Sequence, residues 1–153
     1  MTITKTLIPA GNPAAPGDFS LMSTAEADDQ QVLAEPYVLE CYRGSISDHV
    51  DWFDWGTSAT NFITIKAADG EGHAGVIGAG FVMNGSTTNT AIIKQPYTNI
   101  LGLEFRNSAN FSAIRNVQAG TDCYYDSIIC SNSGSDTDTS VAFEVASFRI
   151  HLR

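Results

Sequence analysis

Apolar and polar residues alternate strictly in the segment SFRIHLR: Phe148, Ile150 and Leu152 face one way, and Ser147, Arg149, His151 and Arg153 the other. A period of two is the mark of a strand with one buried face. The same texture fills nearly everything after Tyr37. The runs YVLECYRG, NFITIKA, GFVMNG, TAIIKQ, NILGLEFRN, FSAIRNV, YYDSIICSN, VAFEVA and SFRIHLR are rich in β-branched and aromatic residues. Gly, Asn, Ser, Asp and Pro fill the gaps between them. The pattern predicts an all-β protein, and strands of this length and spacing are open to a sandwich or jelly roll, a barrel, or a solenoid.

A loose internal repeat favours the solenoid. Ala91-Ile92 recurs as Ala113-Ile114 and as Ala142-Phe143, at steps of 22 and 29 residues, and Ile100 recurs as Ile128 and Ile150, at steps of 28 and 22. Where one spacing lengthens the other shortens, as when loops vary around stacked strands. A mean step of about 25 residues is the length of one coil of a right-handed parallel β-helix. The expectation is a β-solenoid of about four coils over residues 37–153.

Two segments precede it. Residues 1–19 read as an extended arm, interrupted by Pro9, Gly11, Pro13, Pro16 and Gly17, in which Ile3, Leu7 and Ile8 could form a short strand. Such an arm is either disordered or clasps a neighbouring subunit. Residues 20–36 predict a helix: in STAEADDQQVLAEP, Ser23 is placed as N-cap with Glu26 completing a capping box, and Pro36 ends the element. Its apolar positions, Ala25, Ala27, Val32 and Leu33, make one narrow face. A short amphipathic helix there would cover the open end of the first coil, where strand edges and core are otherwise exposed.

Composition narrows the function. A formal net charge of −9 disfavours a nucleic-acid partner. Three cysteines, Cys41, Cys123 and Cys130, do not describe a disulfide framework and suit a reducing cytoplasm. The opening MTITKTLIPAGNPAAPG has too short an apolar patch for a signal peptide, and no stretch approaches a membrane span. Synthesis in a host bacterial cytoplasm without a signal peptide, and no membrane partner, are the corresponding expectations.

The densest polar constellation is SDHVDWFDWGTS. Asp48, Asp51 and Asp54 stand among Trp52, Phe53 and Trp55, and aromatic faces beside paired carboxylates are what a sugar-binding or sugar-cleaving cleft uses. An insertion between coils, with aromatics covering an edge or docking a neighbour, accounts for the same residues. SNSGSDTDTS offers Asp136 and Asp138 to a cation but lacks the spacing of a known calcium loop, and Asp122, Asp126 and Glu104 match no lyase motif. His49, His73 and His151 have no metal-site spacing. GEGHAGVIGAG lacks a Walker lysine and reads as a glycine-rich, protruding loop. Asn107 and Asn132 follow strands at coil corners, where asparagine side chains can stack and bond the turns. Neither a metal nor a cofactor is expected.

GDFSLMSTAEAD, then YVLECYRG, NFITIKAADGEGHAG and YTNILGLEFRN, resemble the opening of parallel β-helix proteins of the pectate-lyase-like superfold, of the kind found in phage genomes. The resemblance spans residues 17 to 153. It implies the β-helical fold but not an activity, since that superfold hosts lyases, hydrolases, tailspikes and inert structural proteins. The expected role is a structural, non-catalytic phage virion protein: a capsid decoration, cement or fibre-base component. It would bind major capsid, tail or fibre subunits and form a homo-oligomer, a trimer by analogy. Expected contact residues are Ile3, Leu7 and Ile8 of the arm, Trp52, Phe53 and Trp55, and Phe148, Ile150 and Leu152, whose strand could continue into another chain by strand addition. The alternative is a polysaccharide-binding or polysaccharide-cleaving module using Asp48, Asp51 and Asp54.

Overall fold

The structure of the protein, a computed structural model, describes residues 1–14, 16–28, 32–52, 55–109, 111–117, 122–132, 143–145 and 150–152, with Trp52 and the last two stretches described by backbone alone. Strand takes 42% of the chain and helix 4%, so the fold class is all-β. The elements in order are β1 (Ile3–Leu7), α1 (Met22–Glu26), β2 (Tyr37–Cys41), β3 (Gly44–Ser47), β4 (Val50–Trp52), β5 (Ile63–Ala67), β6 (Phe81–Gly85) and β7 (Ala91–Ile93). They continue with β8 (Thr98–Leu101), β9 (Glu104–Asn107), β10 (Ile114–Asn116), β11 (Cys123–Asp126), β12 (Ile129–Asn132), β13 (Phe143–Val145) and β14 (Ile150–Leu152).

These strands form three sheets, of order β1-β2-β5-β8-β11-β14, β12-β9-β6-β3 and β13-β10-β7-β4. The chain therefore visits the three sheets in turn, in circuits: β2-β3-β4, β5-β6-β7, β8-β9-β10 and β11-β12-β13. Every pairing between these strands is parallel. An antiparallel sandwich or jelly roll does not give such pairings, so that alternative is set aside.

The alternation read from sequence is the inside-outside alternation of these strands. Leu39, Ile65, Ile100 and Tyr125 stand in register in the first sheet, and Ile46, Met83, Phe105 and Cys130 in the second. With Val50, Ala91, Ile93 and Ile114 of the third, they share one core. Burying a large aliphatic or aromatic side chain contributes about 1.5–3 kcal/mol, so these columns carry most of the stability.

The registers correct the repeat in detail. Ala91 pairs with Ile114, not Ala113, because Ala91 and Ile114 are the inward residues of β7 and β10. Ile100 pairs with Tyr125, and Ile128 lies outside that stack. Two runs read as single strands are each two strands bent at a corner. NILGLEFRN bends at Gly102 (φ +69°) and YYDSIICSN at Ser127 (φ +50°). Left-handed backbone turns the chain from one sheet to the next, at little steric cost for glycine.

Residues 1–19 are not a free arm. β1 pairs along its whole length with β2, and Leu7 also bridges Phe19. Leu7 and Ile8 are buried in the chain's own core, and Ile3 packs against it. The prolines lie beyond the end of the strand and leave its pairing intact. The helix is also shorter than expected, five residues with Leu21 as N-cap and no side-chain cap. Ser23 lies inside it, so the capping box does not form. Instead Asp48 Oδ2 accepts the Ser23 N–H (2.8 Å), a tertiary carboxylate replacing the local one. Met22 and Ala25 are its buried residues, and the element packs against β4. Beyond Ala27 the run DDQQ has no apolar side chain to extend that face.

Candidate functional site

The described side chains of the acidic-aromatic stretch 48–55 take up separate tasks, and Asp48 and His49 line one side of a hollow of about 210 Å³ opposite Asn84, Ser86, Thr87 and Thr88. Besides holding Ser23, Asp48 accepts the His49 N–H at Oδ1 (2.9 Å). Asp51 stands on β4, its Oδ2 2.7 Å from Lys94 Nζ. Trp55 is buried, edge-to-face on Tyr37 with ring centroids 4.7 Å apart, and its Nε1–H donates to the Glu26 carbonyl (2.9 Å). Asp48 and Asp51 are thus committed to different partners, and Trp55 presents no face to a ligand or neighbour. For Trp55 alone the expected role as a contact residue gives way to one in the core, since an indole this large stabilises more by filling the end of the core than by facing water. Trp52 lies on β4 by its backbone, and Phe53 and Asp54 fall outside the described residues, as does Phe148. Ile150 and Leu152 lie on β14, in register with Cys123 and Tyr125.

A different place brings together aromatic and polar side chains with open space between them. Ala59, Phe62, Tyr97, Asn99, Asp122, Cys123 and Tyr124 line a hollow of about 180 Å³ beside the first sheet. Its construction follows from the register. Ile63 pairs with Thr98, so Phe62 and Tyr97 precede equivalent positions in successive circuits. Asn99 is paired with Thr64 on one side and Tyr124 on the other. Asn99 Nδ2 donates to Thr64 Oγ1 (3.2 Å), and the Tyr124 hydroxyl to Asp126 Oδ2 (3.2 Å). Three rings and two polar side chains therefore converge from residues roughly a circuit apart.

Tyr97 is held in left-handed backbone (φ +52°), which is rare for a bulky side chain and costs about 1–2 kcal/mol. The surroundings impose it: the Pro96 carbonyl accepts the Thr57 hydroxyl (2.7 Å) and the Tyr97 carbonyl accepts the Ile63 N–H (3.1 Å). Strain retained at a hollow is a pointer to function. In the sequence this site left only the separate aromatics of NFITIKA, QPYTNI and DCYYD; no local motif joins residues spread from 59 to 124.

The glycine-rich loop is the same corner that residues 42–43, 102–103 and 127–128 make in the other circuits, enlarged to residues 68–80. It folds back over the second sheet, burying His73 and the outward-facing Glu104 of β9. Glu104 Oε2 accepts the Gly78 N–H (2.7 Å), and Oε1 accepts from Arg106 Nε (2.6 Å). Glu104 is thereby separated in role from Asp122, in the hollow, and from Asp126, which accepts the Ser127 hydroxyl. Among the described residues there is no group of three His, Cys, Asp or Glu side chains placed to hold a metal ion. Asp136 and Asp138 lie outside them.

The thiols are core residues. Burial pushes Cys41 far above the ordinary thiol range and Cys130 up to about 12. Cys41 and Cys123, which are buried, should not react with a thiol reagent in the native protein at about pH 8, partly buried Cys130 should react slowly, and all three should react in guanidinium. A count of modified thiols before and after unfolding checks this.

Compared with known proteins, the chain matches no protein family, no curated protein and no solved structure.

Proposed function

We propose that the chain is a right-handed parallel β-helix serving a phage virion as a structural, non-catalytic binding component: a capsid decoration, cement or fibre-base protein. The fold part is supported by three parallel sheets visited in turn around one core. Right-handedness is supported by the strong preference of parallel crossovers for that hand. The phage association rests on the sequence resemblance of residues 17–153. The observation that carries the functional part is the fate of residues 48–55. Asp48 seats α1, Asp51 pairs with Lys94 and the Trp55 indole completes the core. A stiff stack of circuits offers extended surface to other subunits, and homo-oligomerisation, as a trimer, belongs to this reading. Mixing the purified protein with virions that lack it should give saturable, stoichiometric binding. A monomer that binds neither capsid nor tail would overturn the reading, as would polysaccharide cleavage by the isolated protein.

The hollow at Phe62, Tyr97 and Tyr124 favours a second reading, a saccharide-binding module without chemistry. Aromatic faces take the apolar face of a sugar ring while Asn99 and Asp122 meet its hydroxyls. In this case Tyr124→Ala should abolish binding on a glycan array. Retained binding in that variant, or no binding by the wild type, would sink this reading alone.

A further inference from the structure

We propose that His73 is a pH-operated latch, holding the 68–80 loop against the following circuits while its imidazole is neutral and releasing it on protonation. The ring is 5% exposed and makes two hydrogen bonds that differ in direction. At Nδ1 it meets the Gly75 N–H (2.8 Å), which can only donate, so Nδ1 must carry a lone pair. The ring proton is then on Nε2, which faces the Ser127 carbonyl (2.5 Å), an acceptor. Both contacts are satisfied by one neutral tautomer and by no other state of the ring. Protonation puts a second N–H on Nδ1, pointing at the Gly75 N–H, and breaks the inner bond.

The latch crosses the stack. His73 belongs to the corner between β5 and β6, whereas Ser127 is the corresponding corner two circuits on. The backbone on both sides is left-handed at non-glycine residues, Ala74 (φ +47°) and Ser127 (φ +50°). Such conformations persist where neighbouring contacts enforce them, and at Ala74, beside the ring, loss of the imidazole bonds removes one such contact. The loop's second anchor, Gly78 on Glu104, does not involve the imidazole.

Most charged groups on the elements around the ring are held by other partners. On the loop itself, Glu71 pairs with Arg43 and Asp69 is exposed. On β9, Glu104 is bonded to Arg106 and Gly78. Beside Ser127, Asp126 accepts from the Ser127 and Tyr124 hydroxyls. Imidazole is the side chain that can take up a proton near physiological pH, so acidification is what drives the release. What is released is a tip already facing solvent, with Val76 60% and Ile77 68% exposed. Acid would convert this fixed apolar tip into a mobile one.

Residue-resolved hydrogen exchange on the full chain, corrected for the intrinsic effect of pH, tests the latch. Protection of the Gly75 amide should fall about tenfold or more between about pH 7.5 and about pH 5. His73→Asn, whose carbonyl can still accept near the Nδ1 position but cannot titrate, should show no such fall. Glu104→Gln should retain it. Unchanged protection in the wild type, a transition that survives in His73→Asn, or one that disappears in Glu104→Gln would each overturn the proposal. Nitrogen-15 spectra of the unmodified protein give a check that needs no variant. The ring should be the Nε2–H tautomer near neutrality and should titrate with the same midpoint as the Gly75 amide shift; different midpoints refute the latch.

Discussion

Trp55→Ala should lower the unfolding free energy by about 3–5 kcal/mol, the range for truncating a fully buried large aromatic. Three losses combine in that variant. The indole volume leaves a cavity at the end of the core, Tyr37 loses its edge-to-face partner, and the Glu26 carbonyl loses its donor. The last loss also loosens α1, whose final turn that carbonyl belongs to. Chemical denaturation with an unchanged slope checks the stability change. Trp55→Phe, which keeps a ring on Tyr37 but not the N–H, should fall between the two. If Trp55→Ala instead left stability intact and removed only binding to a partner or glycan, the indole would be an exposed contact residue and the structural account of 48–55 would fail.

The second large effect is expected at Asn107. Gly85, Asn107 and Asn132 stand in register at the end of the second sheet. Asn107 is 1% exposed; its amide donates to the Thr88 carbonyl (2.7 Å) and Thr90 Oγ1 (3.1 Å), while Oδ1 accepts the Ala109 N–H (2.8 Å). Thr90 Oγ1 in turn donates to the Arg106 carbonyl (2.7 Å). Gly85 leaves room for this knot, since a Cβ there would run into Thr90 Oγ1 and the Thr90 backbone. Asn107→Leu keeps the volume and strips the bonds, leaving the half-buried Thr88 carbonyl and Ala109 N–H without this partner. At about 1 kcal/mol for each such group, the low end because water can reach them, a loss of roughly 2 kcal/mol is expected. Asn132 bonds the Phe111 carbonyl (2.6 Å) in a half-buried corner that water can reach. Asn132→Leu should therefore cost about 1 kcal/mol or less. Equal losses in the two variants would show that the shared register, and not burial, sets the energy.

Much of the scaffold was legible in the sequence. The β-branched and aromatic runs YVLECYRG, NFITIKA and GFVMNG were rightly read as strands, and β2 shows the clean alternation of a strand with one buried face. Asn107 and Asn132 were placed at corners from their position after strands, and each does bond a main-chain carbonyl of the preceding circuit. The bends at Gly102 and Ser127 were missed. A single residue in left-handed backbone turns the chain without interrupting the apolar pattern, so one run hid two strands. The capping box at Ser23 and Glu26 was a sound local signal that a carboxylate 25 residues away displaced.

The candidate site was much less legible. SDHVDWFDWGTS concentrates attractive side chains within twelve residues, yet adjacency in sequence sends them to a helix cap, a sheet face and the core. The hollow draws Phe62, Tyr97, Asn99, Asp122 and Tyr124 from segments a circuit apart, and the latch joins His73 to Ser127.

By itself, then, the sequence determined the fold class, the runs that become strands and the cysteines' place in a core, because β-propensity and apolar content act locally. Only the tertiary structure decided which strand stacks on which, where the corners fall and what the loop side chains hold. Those depend on registers between residues far apart in the chain, and parallel stacking sets such registers by packing along the whole column.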